Sequence, residues 1–311
     1  MLSFSYGLSD GSERPLHAVT EAVHECSLDV PADSLRVCVK YDRGVRAHAR
    51  SLIMRDGCDI IFRGGIDRIV LTNGSGGSVL RLYARSAAGL LLDNEAEPLV
   101  YTNPSAELIA RRYLQPFGIR AKGTAKGVLY GHFRIDKGMS QWQALERFCR
   151  AMYGKSPRIS GDGTAYLDGL PRGETVTFGE GGIPCYSLEE RQNPCRLLSK
   201  VWLKLSPKDG YISALNNPNA ACGGIRRERY VDATAQNRSI DTAQKMIDNS
   251  NAASYSVILR CGGCQAPLLG RAAQVLQSEI GTLDGLLITG VKTRLDRSGA
   301  VSAITLEKEK Y

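Results

Sequence analysis

Residues 81–119 constrain the fold of this chain more than any other stretch. A strand-like run at residues 81–85 leads into small residues that predict a turn. The apolar patch at residues 90–92 then meets an acidic cluster at residues 93–95, and Asn103 precedes a proline, which is typical of a helix start. A strand, a turn and a helix in this order predict a joint between a β region and a helical region.

Alternating apolar and polar residues predict strands before this joint. Residues 26–30 and 35–41 alternate in this way. Residues 58–72 predict a strand pair or one bent strand, with a bulge or kink at Gly64 and Gly65, and residues 73–78 predict a hairpin loop. We therefore interpret the chain up to about residue 92 as one antiparallel β domain.

Cap residues and apolar spacing predict two helices after the joint. The first begins at Asn103 and ends near Gly118. The second begins at Ser140, whose spacing from Gln143 is that of a capping box, and it ends at Gly154, where a C-terminal glycine belongs. These helices define a mixed middle region.

From about residue 171 the pattern returns to β. Alternation and turn residues predict strands and a closing hairpin turn at residues 200–205, 255–259, 287–295 and 296–299. Residues 211–224 are rich in Asn, Pro and Gly and predict a long loop. Ser239 is predicted to cap a short helix at residues 240–249. Residues 267–280 favour a helix by propensity alone.

The composition is that of a folded chain of two or three domains. The chain has 311 residues, and its hydrophobic content of 43% is ample for a packed core. The sequence shows no signal-peptide pattern and no run of about 20 apolar residues that would span a membrane. Its nine cysteines are irregularly spaced, and we expect them to be reduced thiols in a cytoplasm.

The net charge of +8 raises the hypothesis of nucleic-acid binding. The basic residues are scattered among acids, however, and cluster only at residues 111–112 and 226–229. Aromatic residues do not interleave with them as a single-strand binder requires. DNA binding therefore stays an alternative and not the main interpretation.

Cys261 and Cys264 form the one C-x-x-C pair and are the best metal or redox candidate. A structural zinc needs four ligands, commonly from two such pairs, and the sequence has no second pair. A thioredoxin-like motif requires a helix start, whereas these cysteines follow a predicted strand. We interpret the segment as a glycine turn between two thiols.

Carboxylates are candidates for glycan cleavage because that chemistry uses two of them. The candidates are Asp93, Glu95, Glu180, Glu189 and Glu190. Nearness in sequence does not establish the separation that the reaction needs. We expect Asp93 and Glu95 instead to cap backbone groups or to pair with Arg81 or Arg85. The sequence therefore predicts no catalytic, cofactor-binding or metal-binding residue.

Two glycine-rich segments, at residues 73–78 and 179–182, lack the Lys-Ser/Thr of a phosphate-binding loop. Trp142 lies on an apolar helical stripe and is interpreted as core. Trp202 lies on the lysine-bearing face of its strand, which leaves two alternatives: a subunit interface, or burial under the neighbouring loop.

The whole pattern resembles the baseplate hub ("late control" or tail-hub) family of contractile phage tails. The residues that carry the resemblance begin with R-x-Y-A-R-S-x-x-G-x-L-L-D-N-E-A-x-P-x-x-Y at residues 81–101, followed by N-P-S at 103–105. Further matches are F-R-G-G-I at 62–66, G-G-I-R-R-E-R-Y at 223–230, A-Q-K-M-I at 243–247 and I-T-L at 304–306. The resemblance also implies a strand that starts at a glycine within residues 267–280.

The resemblance implies an α+β, mainly β fold. Two tail-tube-like antiparallel β-barrel domains, residues 1–92 and 171–311, would flank a smaller mixed helical domain, residues 93–170. The implied function is that of a structural baseplate hub, not an enzyme, in a phage tail or a tail-derived bacteriocin. No cofactor is implied.

The implied assembly is a homotrimeric ring that adapts the six-fold tail tube to the three-fold central spike. The tube protein, the spike and baseplate wedge or LysM-type proteins would be its partners, and DNA would enter only as passing cargo. The chain would be made in the host cytoplasm and reside in the tail baseplate. The alternatives are a tail-tip cell-wall hydrolase and a DNA-binding protein.

Overall fold

A computed structural model describes residues 1–122, 126–204, 208, 210–221, 224–232 and 239–308. The chain forms two compact units. Unit 1 comprises Met1–Arg172, Gly263–Gly270 and Gly290–Ser302, and unit 2 comprises Gly173–Gly262, Arg271–Thr289 and Ala303–Tyr311. The sequence interpretation also used Leu205 and Gly223, which lie outside the described residues, as does Cys222.

The secondary-structure elements follow one another closely along the chain. Those of residues 1–172 are β1 (Leu2–Gly7), β2 (Glu13–Pro15), β3 (Val19–Ser27), β4 (Ser34–Lys40), α1 (Arg43–His48), β5 (Ser51–Asp56), β6 (Asp59–Gly74), β7 (Gly77–Ser86), α2 (Ala88–Asp93), β8 (Leu99–Thr102), α3 (Ala106–Tyr113), a 3-10 turn (Gln115–Phe117), β9 (Arg120–Lys122), β10 (His132–Ile135), α4 (Gln141–Tyr153), β11 (Arg158–Ile159) and β12 (Thr164–Tyr166).

The remaining elements begin after residue 172. They are β13 (Val176–Gly179), β14 (Cys185–Gln192), a 3-10 turn (Pro194–Arg196), β15 (Lys200–Lys204), β16 (Ser213–Asn216), α5 (Pro218–Ala221), β17 (Glu228–Asp232), α6 (Ser239–Ala253), β18 (Tyr255–Gly262), a 3-10 turn (Ala266–Leu268), β19 (Ala272–Gln277), β20 (Gly281–Asp296) and β21 (Gly299–Lys308).

An antiparallel sheet dominates unit 1. Its strand order is β2-β1-β5-β6-β7-β4-β3, and β3 pairs with residues 290–295 of β20. The predicted strand at residues 35–41 is confirmed as β4, where Leu35, Val37 and Val39 are buried. Alternation works here because one face of the sheet covers the core.

The strand predicted at residues 26–30 is wrong in its placement. β3 ends at Ser27, and the following residues leave the sheet before Pro31. The apolar Val30 is 53% exposed, so its alternation with Cys26 does not mark a buried face. Pro31 has no N–H to donate to a strand ladder, which is consistent with the strand ending early.

The long β6–β7 hairpin confirms one of the two predicted alternatives, a single bent strand. The predicted bulge is present but lies at a different position. Residues 59–74 form a single strand, and the register shift lies between Ile66 and Arg68, not at Gly64 and Gly65. Gly64 has a different role: a Cβ there would overlap the carbonyl oxygen of Arg85. The loop predicted at residues 73–78 is shorter in the structure and forms a tight turn, because Gly74 already pairs with Gly77.

The helical middle of unit 1 has its own apolar core, to which α2, α3 and α4 contribute. The capping box of Ser140 and Gln143 is confirmed, and Gly154 ends α4 in the left-handed region at φ 70°. Trp142 is buried in this core, as predicted. Local cap signals therefore placed this helix correctly.

Two other local predictions in this region are wrong. Ser105, not Asn103, caps α3 by accepting a hydrogen bond from the Leu108 N–H at 3.1 Å. Asn103 instead adopts φ 50°, and its side chain accepts a hydrogen bond from the Gly131 N–H. The small residues that follow β7 start helix α2 rather than a turn, because they pack tightly: Ala88 is fully buried.

Unit 2 combines antiparallel strand pairs with a small three-stranded sheet. β14 pairs with β18, and β19 pairs with β20 at residues 281–287 and with β13 in parallel. β15 lies between β16 and β17, and α6 packs on one face of this sheet through Ala243 and Ile247. The helix predicted at residues 240–249 is confirmed within the longer α6.

The other predictions for unit 2 have mixed outcomes. The loop predicted at residues 211–224 is wrong, because β16 and α5 lie within it. The strand implied by the resemblance within residues 267–280 is confirmed as β19. The strands predicted at 200–205, 255–259 and 287–295 lie in β15, β18 and β20, except that Leu205 is outside the described residues.

The fold is mainly β, with antiparallel sheets and a smaller helical content, as the sequence predicted. Within the residues described above, no sheet closes on itself into a barrel. The two barrel domains therefore stay a prediction.

Candidate functional site

The joint after β7 is organised by Arg85. Its guanidinium binds Asp67 of β6 at 2.7 and 3.0 Å and Asp93 at the end of α2 at 2.6 and 3.1 Å. Each carboxylate therefore receives two hydrogen bonds from one planar group, the geometry in which Arg–carboxylate pairs are strongest. This arrangement connects the hairpin to the first helix of the middle region.

A β-bulge places Asp67 at the joint. Gly65 pairs with Arg85 and Ile66 with Ala84, but the next pairing joins Arg68 to Tyr83, so Asp67 is the extra residue of the strand. A bulge re-aims a side chain relative to the regular alternation. Alternation alone gave no signal for Asp67, and the sequence interpretation did not include it.

The pKa shifts in this cluster indicate a structural role. The hydrogen bonds that Arg85 donates to Asp67 and Asp93 raise the pKa of Arg85, and those that Asp93 accepts lower the pKa of Asp93. Arg85 and Asp93 are therefore both charged at neutral pH. Asp93 is about half exposed, so solvent screens its interaction with Arg85. A charged, paired Asp93 does not suit proton donation to a glycosidic oxygen.

Glu95 performs the backbone capping that the sequence predicted. Its carboxylate accepts a hydrogen bond from the Gly138 N–H at 2.8 Å, just before α4. Glu95 also forms a single antiparallel bridge with Ser140, the N-cap of that helix. The expected pairing with Arg81 or Arg85 is thus confirmed for Asp93 with Arg85, while Arg81 binds Thr72.

A buried ion pair lies elsewhere in unit 1. Arg158 of β11 binds Asp33, and both side chains are at most 5% exposed. The same guanidinium donates to the carbonyl oxygens of Val30 and Pro31 at 2.8 and 3.0 Å. Burial raises the pKa of Asp33, and Arg158 opposes that rise. The pair holds the segment after β3 against the middle region of unit 1, and nothing in the local sequence indicated it.

His24 lies beside this pair in a cavity of about 520 Å³ that Arg158, Asp33 and Tyr166 also line. The imidazole is buried, neither ring nitrogen has a hydrogen-bond partner among the residues that the structure describes, and the ring packs edge-on against Phe62 at 5.7 Å. Burial, and then the charge of Arg158, lowers the pKa of His24 to about 4. His24 is therefore neutral at physiological pH, without an acidic partner to activate it as a base.

The remaining candidate carboxylates bind neighbours in unit 2. Glu180 accepts a hydrogen bond from the Ser278 N–H at 3.0 Å. Glu189 and Glu190 bind side chains of their own strand, and the bond from Arg191 at 2.7 Å lowers the pKa of Glu189. The contact with Arg191 is therefore opposite in effect to the raised pKa that a glycosidase acid needs, and Glu189 does not suit that role.

The C-x-x-C segment contains the glycine turn that the sequence predicted, with Gly263 at φ 76°. Cys261 is buried in unit 2 and lies 3.2 Å from the sulfur of Cys185. Cys264, in unit 1, accepts a weak hydrogen bond from Thr293 at 3.7 Å. Within the described part of the chain, no three His, Cys, Asp or Glu side chains gather as a metal site.

Trp202 lies on the face of the small sheet opposite α6. Its indole N–H donates to Glu228 at 2.7 Å, and the Lys200 ammonium lies 4.8 Å from the ring centroid. The ring is half-buried, and these polar neighbours share its face of the sheet. On the same sheet, Tyr230 is 60% exposed and packs edge-on against Tyr211.

Across the residues that the structure describes, none of the helices has the length and apolar character that a membrane span requires.

No protein-family model and no curated protein matches the chain. Solved structures do match it over its whole length. The tail protein from Neisseria meningitidis MC58 is 19% identical, with 99% of this chain and 97% of that chain covered and a TM-score of 0.76. The 43 kDa tail protein of prophage MuSo2 from Shewanella oneidensis is 14% identical, with 99% and 98% covered and a TM-score of 0.79.

A third similar structure comes from E. coli. It is described as a component of the type VI secretion system with structural similarity to the T4 bacteriophage tail proteins gp27 and gp5. That protein is 10% identical, with 100% of this chain and 77% of that chain covered and a TM-score of 0.54.

The chain therefore has the fold of phage tail proteins. This fold is consistent with the resemblance of residues 81–119 to proteins of contractile phage tails.

Proposed function

We propose that this chain is the structural hub of a contractile tail baseplate, in a phage or in a tail-derived bacteriocin. The observation that carries the proposal is the likeness of fold to two phage tail proteins, each covered over nearly its whole length. A similarity that covers both chains almost completely favours a shared role in the tail. A similarity confined to one domain would favour it less. The resemblance of residues 81–119 to tail-hub proteins gives the finer assignment.

The proposed hub is a homotrimer. Three copies that each carry two tube-like β domains, residues 1–92 and 171–311, present six such domains to a six-fold tail tube. The same ring keeps three-fold symmetry toward a central spike, since closed cyclic interfaces permit this adaptation. Residues 93–170 form the middle domain of this proposal, and Arg85 binds both Asp67 of the preceding hairpin and Asp93, where the middle domain begins.

The proposed partners are the tail tube protein, the central spike and baseplate wedge or LysM-type proteins. DNA enters only as cargo that passes through the ring. The protein is proposed to be made in the host cytoplasm and to reside in the tail baseplate. Its role is mechanical, and no catalytic step is assigned to it.

The contacts of the charged residues favour this role over the two alternatives. The candidate carboxylates Asp93 and Glu189 are paired with arginines that lower their pKa values, whereas a hydrolase needs a protonated acid. The basic clusters are interspersed with acids: Arg112 binds Glu97, and Arg226 lies 3.9 Å from Glu228. Such pairing reduces the charge available for phosphate contacts.

Copy number in purified particles tests the proposal. We expect an affinity-tagged chain to co-purify with tails. Its copy number, measured by quantitative mass spectrometry with labelled peptides, should be half the number of tube subunits in one ring. Absence of the chain from the particles, or equal copy number with one tube ring, would overturn the hub assignment. Clearing of a cell-wall gel by the purified chain would favour the hydrolase instead.

A further inference from the structure

Two cysteine thiols meet across a strand pair of unit 2. Cys185 of β14 and Cys261 of β18 are direct partners in the antiparallel register. Their sulfur atoms are 3.2 Å apart, and both residues are free thiols. The two positions are 76 residues apart in sequence, so the fold alone brings them together.

The local geometry suits a covalent bond between them. Directly opposed residues of antiparallel strands have Cβ atoms about 4.5–5.5 Å apart, close to the roughly 3.5–4.5 Å of a disulfide. The sulfurs need to approach by only about 1 Å to reach bonding distance. The register shifts between Cys185 and Ser187, and such an irregular strand segment adapts more readily than a regular ladder.

We propose that Cys185 and Cys261 are a redox pair that closes to a disulfide when the folded protein meets a small-molecule disulfide such as oxidised glutathione. The inference goes beyond the proposed function and does not depend on it. It also differs from the sequence analysis, which singled out Cys261 and Cys264 as a redox candidate and interpreted them as a glycine turn between two thiols. Cys264 has another neighbour, the hydroxyl of Thr293.

The reaction is a thiol–disulfide exchange in two steps. The Cys185 thiolate attacks one sulfur of oxidised glutathione, forms a mixed disulfide and releases one glutathione thiolate. Cys261 then loses its proton, and its thiolate attacks the Cys185 sulfur and releases the second glutathione. The protein loses two electrons to glutathione, and its two thiol protons end on the two glutathione thiols.

The surroundings of the two sulfurs determine the order of these steps. Cys185 is half-buried, whereas Cys261 is buried. The hydrogen bond between the thiols lowers the pKa of Cys185 and raises that of Cys261, because the Cys261 S–H stabilises a Cys185 thiolate. Cys185 is therefore both the more accessible and the more readily ionised thiol, which makes it the attacking group.

The bond would close a loop that contains the small sheet β15–β17 and helix α6. Cross-linking the ends of such a segment restricts the unfolded chain and stabilises the folded one. A reducing cytoplasm keeps the thiols separate, and an oxidising medium closes the bond. The pair is then a reversible cross-link within unit 2 that responds to the redox state of the medium.

Peptide mapping of the full chain tests the proposal. The folded protein is incubated with oxidised glutathione, alkylated under denaturing conditions without reductant, digested and analysed by mass spectrometry. We expect a cross-linked peptide that joins Cys185 to Cys261 and disappears on reduction. The cross-link should be lost in Cys185→Ser and kept in the matched control Cys264→Ser.

Thermal unfolding gives an independent result on the same samples. Oxidation should raise the unfolding midpoint by about 5 °C in the wild type and in Cys264→Ser, but not in Cys185→Ser. A cross-link between Cys261 and Cys264, or alkylation of both Cys185 and Cys261 in a folded, oxidant-treated protein, would overturn the proposal. The peptide map of the oxidised wild-type protein tests the proposal even if a serine variant fails to fold.

Discussion

Arg85 and Asp93 are joined by two hydrogen bonds, of 2.6 and 3.1 Å, across the boundary between β7 and α2. The same guanidinium binds Asp67 through two more. Gly89 of α2 supports this approach, because a Cβ there would lie 3.2 Å from the Arg85 Cβ. One arginine therefore connects the hairpin and the first helix of the middle region.

Removal of this connection should destabilise unit 1. We expect Arg85→Ala to lower the free energy of unfolding by about 1 kcal/mol, since the network is partly solvent-exposed and screened. Arg81→Ala is the matched control, because Arg81 lies on the same strand and binds the hydroxyl of Thr72 instead of a carboxylate. Chemical denaturation measures both variants, and equal losses would show that the network has no special role.

Asp93→Ala should weaken the same joint without removing any chemical activity. Asp93 is one of the two carboxylates on Arg85, so the loss should be smaller than for Arg85→Ala and should shrink further in high salt. Unfolding midpoints at low and high salt test this. A loss that does not depend on salt would contradict an electrostatic role.

Glu95→Ala should loosen the start of α4. The variant removes the acceptor of the Gly138 N–H, a contribution of about 1 kcal/mol. Glu95→Gln retains a carbonyl acceptor and should recover most of the loss. Hydrogen exchange of the Gly138 amide reports on this contact directly, and unchanged protection in Glu95→Ala would show that the bond is not formed in solution.

The buried pair of Asp33 and Arg158 should be far more sensitive than the exposed joint. We expect Arg158→Met to cost about 3–5 kcal/mol, because it leaves Asp33 buried without its partner. The double variant Asp33→Leu with Arg158→Met should recover much of this loss, since no charge is then buried. A double variant no more stable than Arg158→Met would contradict this account.

His24 should make stability depend on pH. Its pKa is about 4 in the folded protein against an ordinary 6.5, so between these values only the unfolded state binds the proton. Stability should therefore fall by about 3 kcal/mol as the pH drops from 6.5 to 4, and change no further from this group below 4 or above 6.5.

The variant His24→Leu should lack this component of the pH dependence. The exposed His132 provides the matched control, His132→Leu, which should keep it. Chemical denaturation at a series of pH values compares the three proteins. Parallel curves for wild type and His24→Leu would show that the imidazole is not buried as described.

Features that depend on a few neighbouring residues were predictable from the sequence. The capping box at Ser140 and the final glycine of α4 are local signals, and both were placed correctly. The α3 start was misplaced because Asn103 and Ser105 are both good N-cap residues. Only the backbone decides between them, since Asn103 adopts a positive φ and Ser105 does not.

Features that depend on strand register were not predictable. Asp67 reaches Arg85 because a bulge shifts the β6–β7 pairing by one residue. Cys185 faces Cys261 through the β14–β18 register, whereas the sequence drew attention to the nearer Cys264. Arg158 and Asp33 are 125 residues apart, and no short pattern relates them.

A reconstruction of the assembled tail particle tests the central claim most directly. Electron cryomicroscopy of particles that contain this chain should show it as a three-fold ring between the tail tube and the spike, with two β domains of each copy facing the tube. A particle in which the chain forms a six-fold ring, or from which it is absent, would contradict the account.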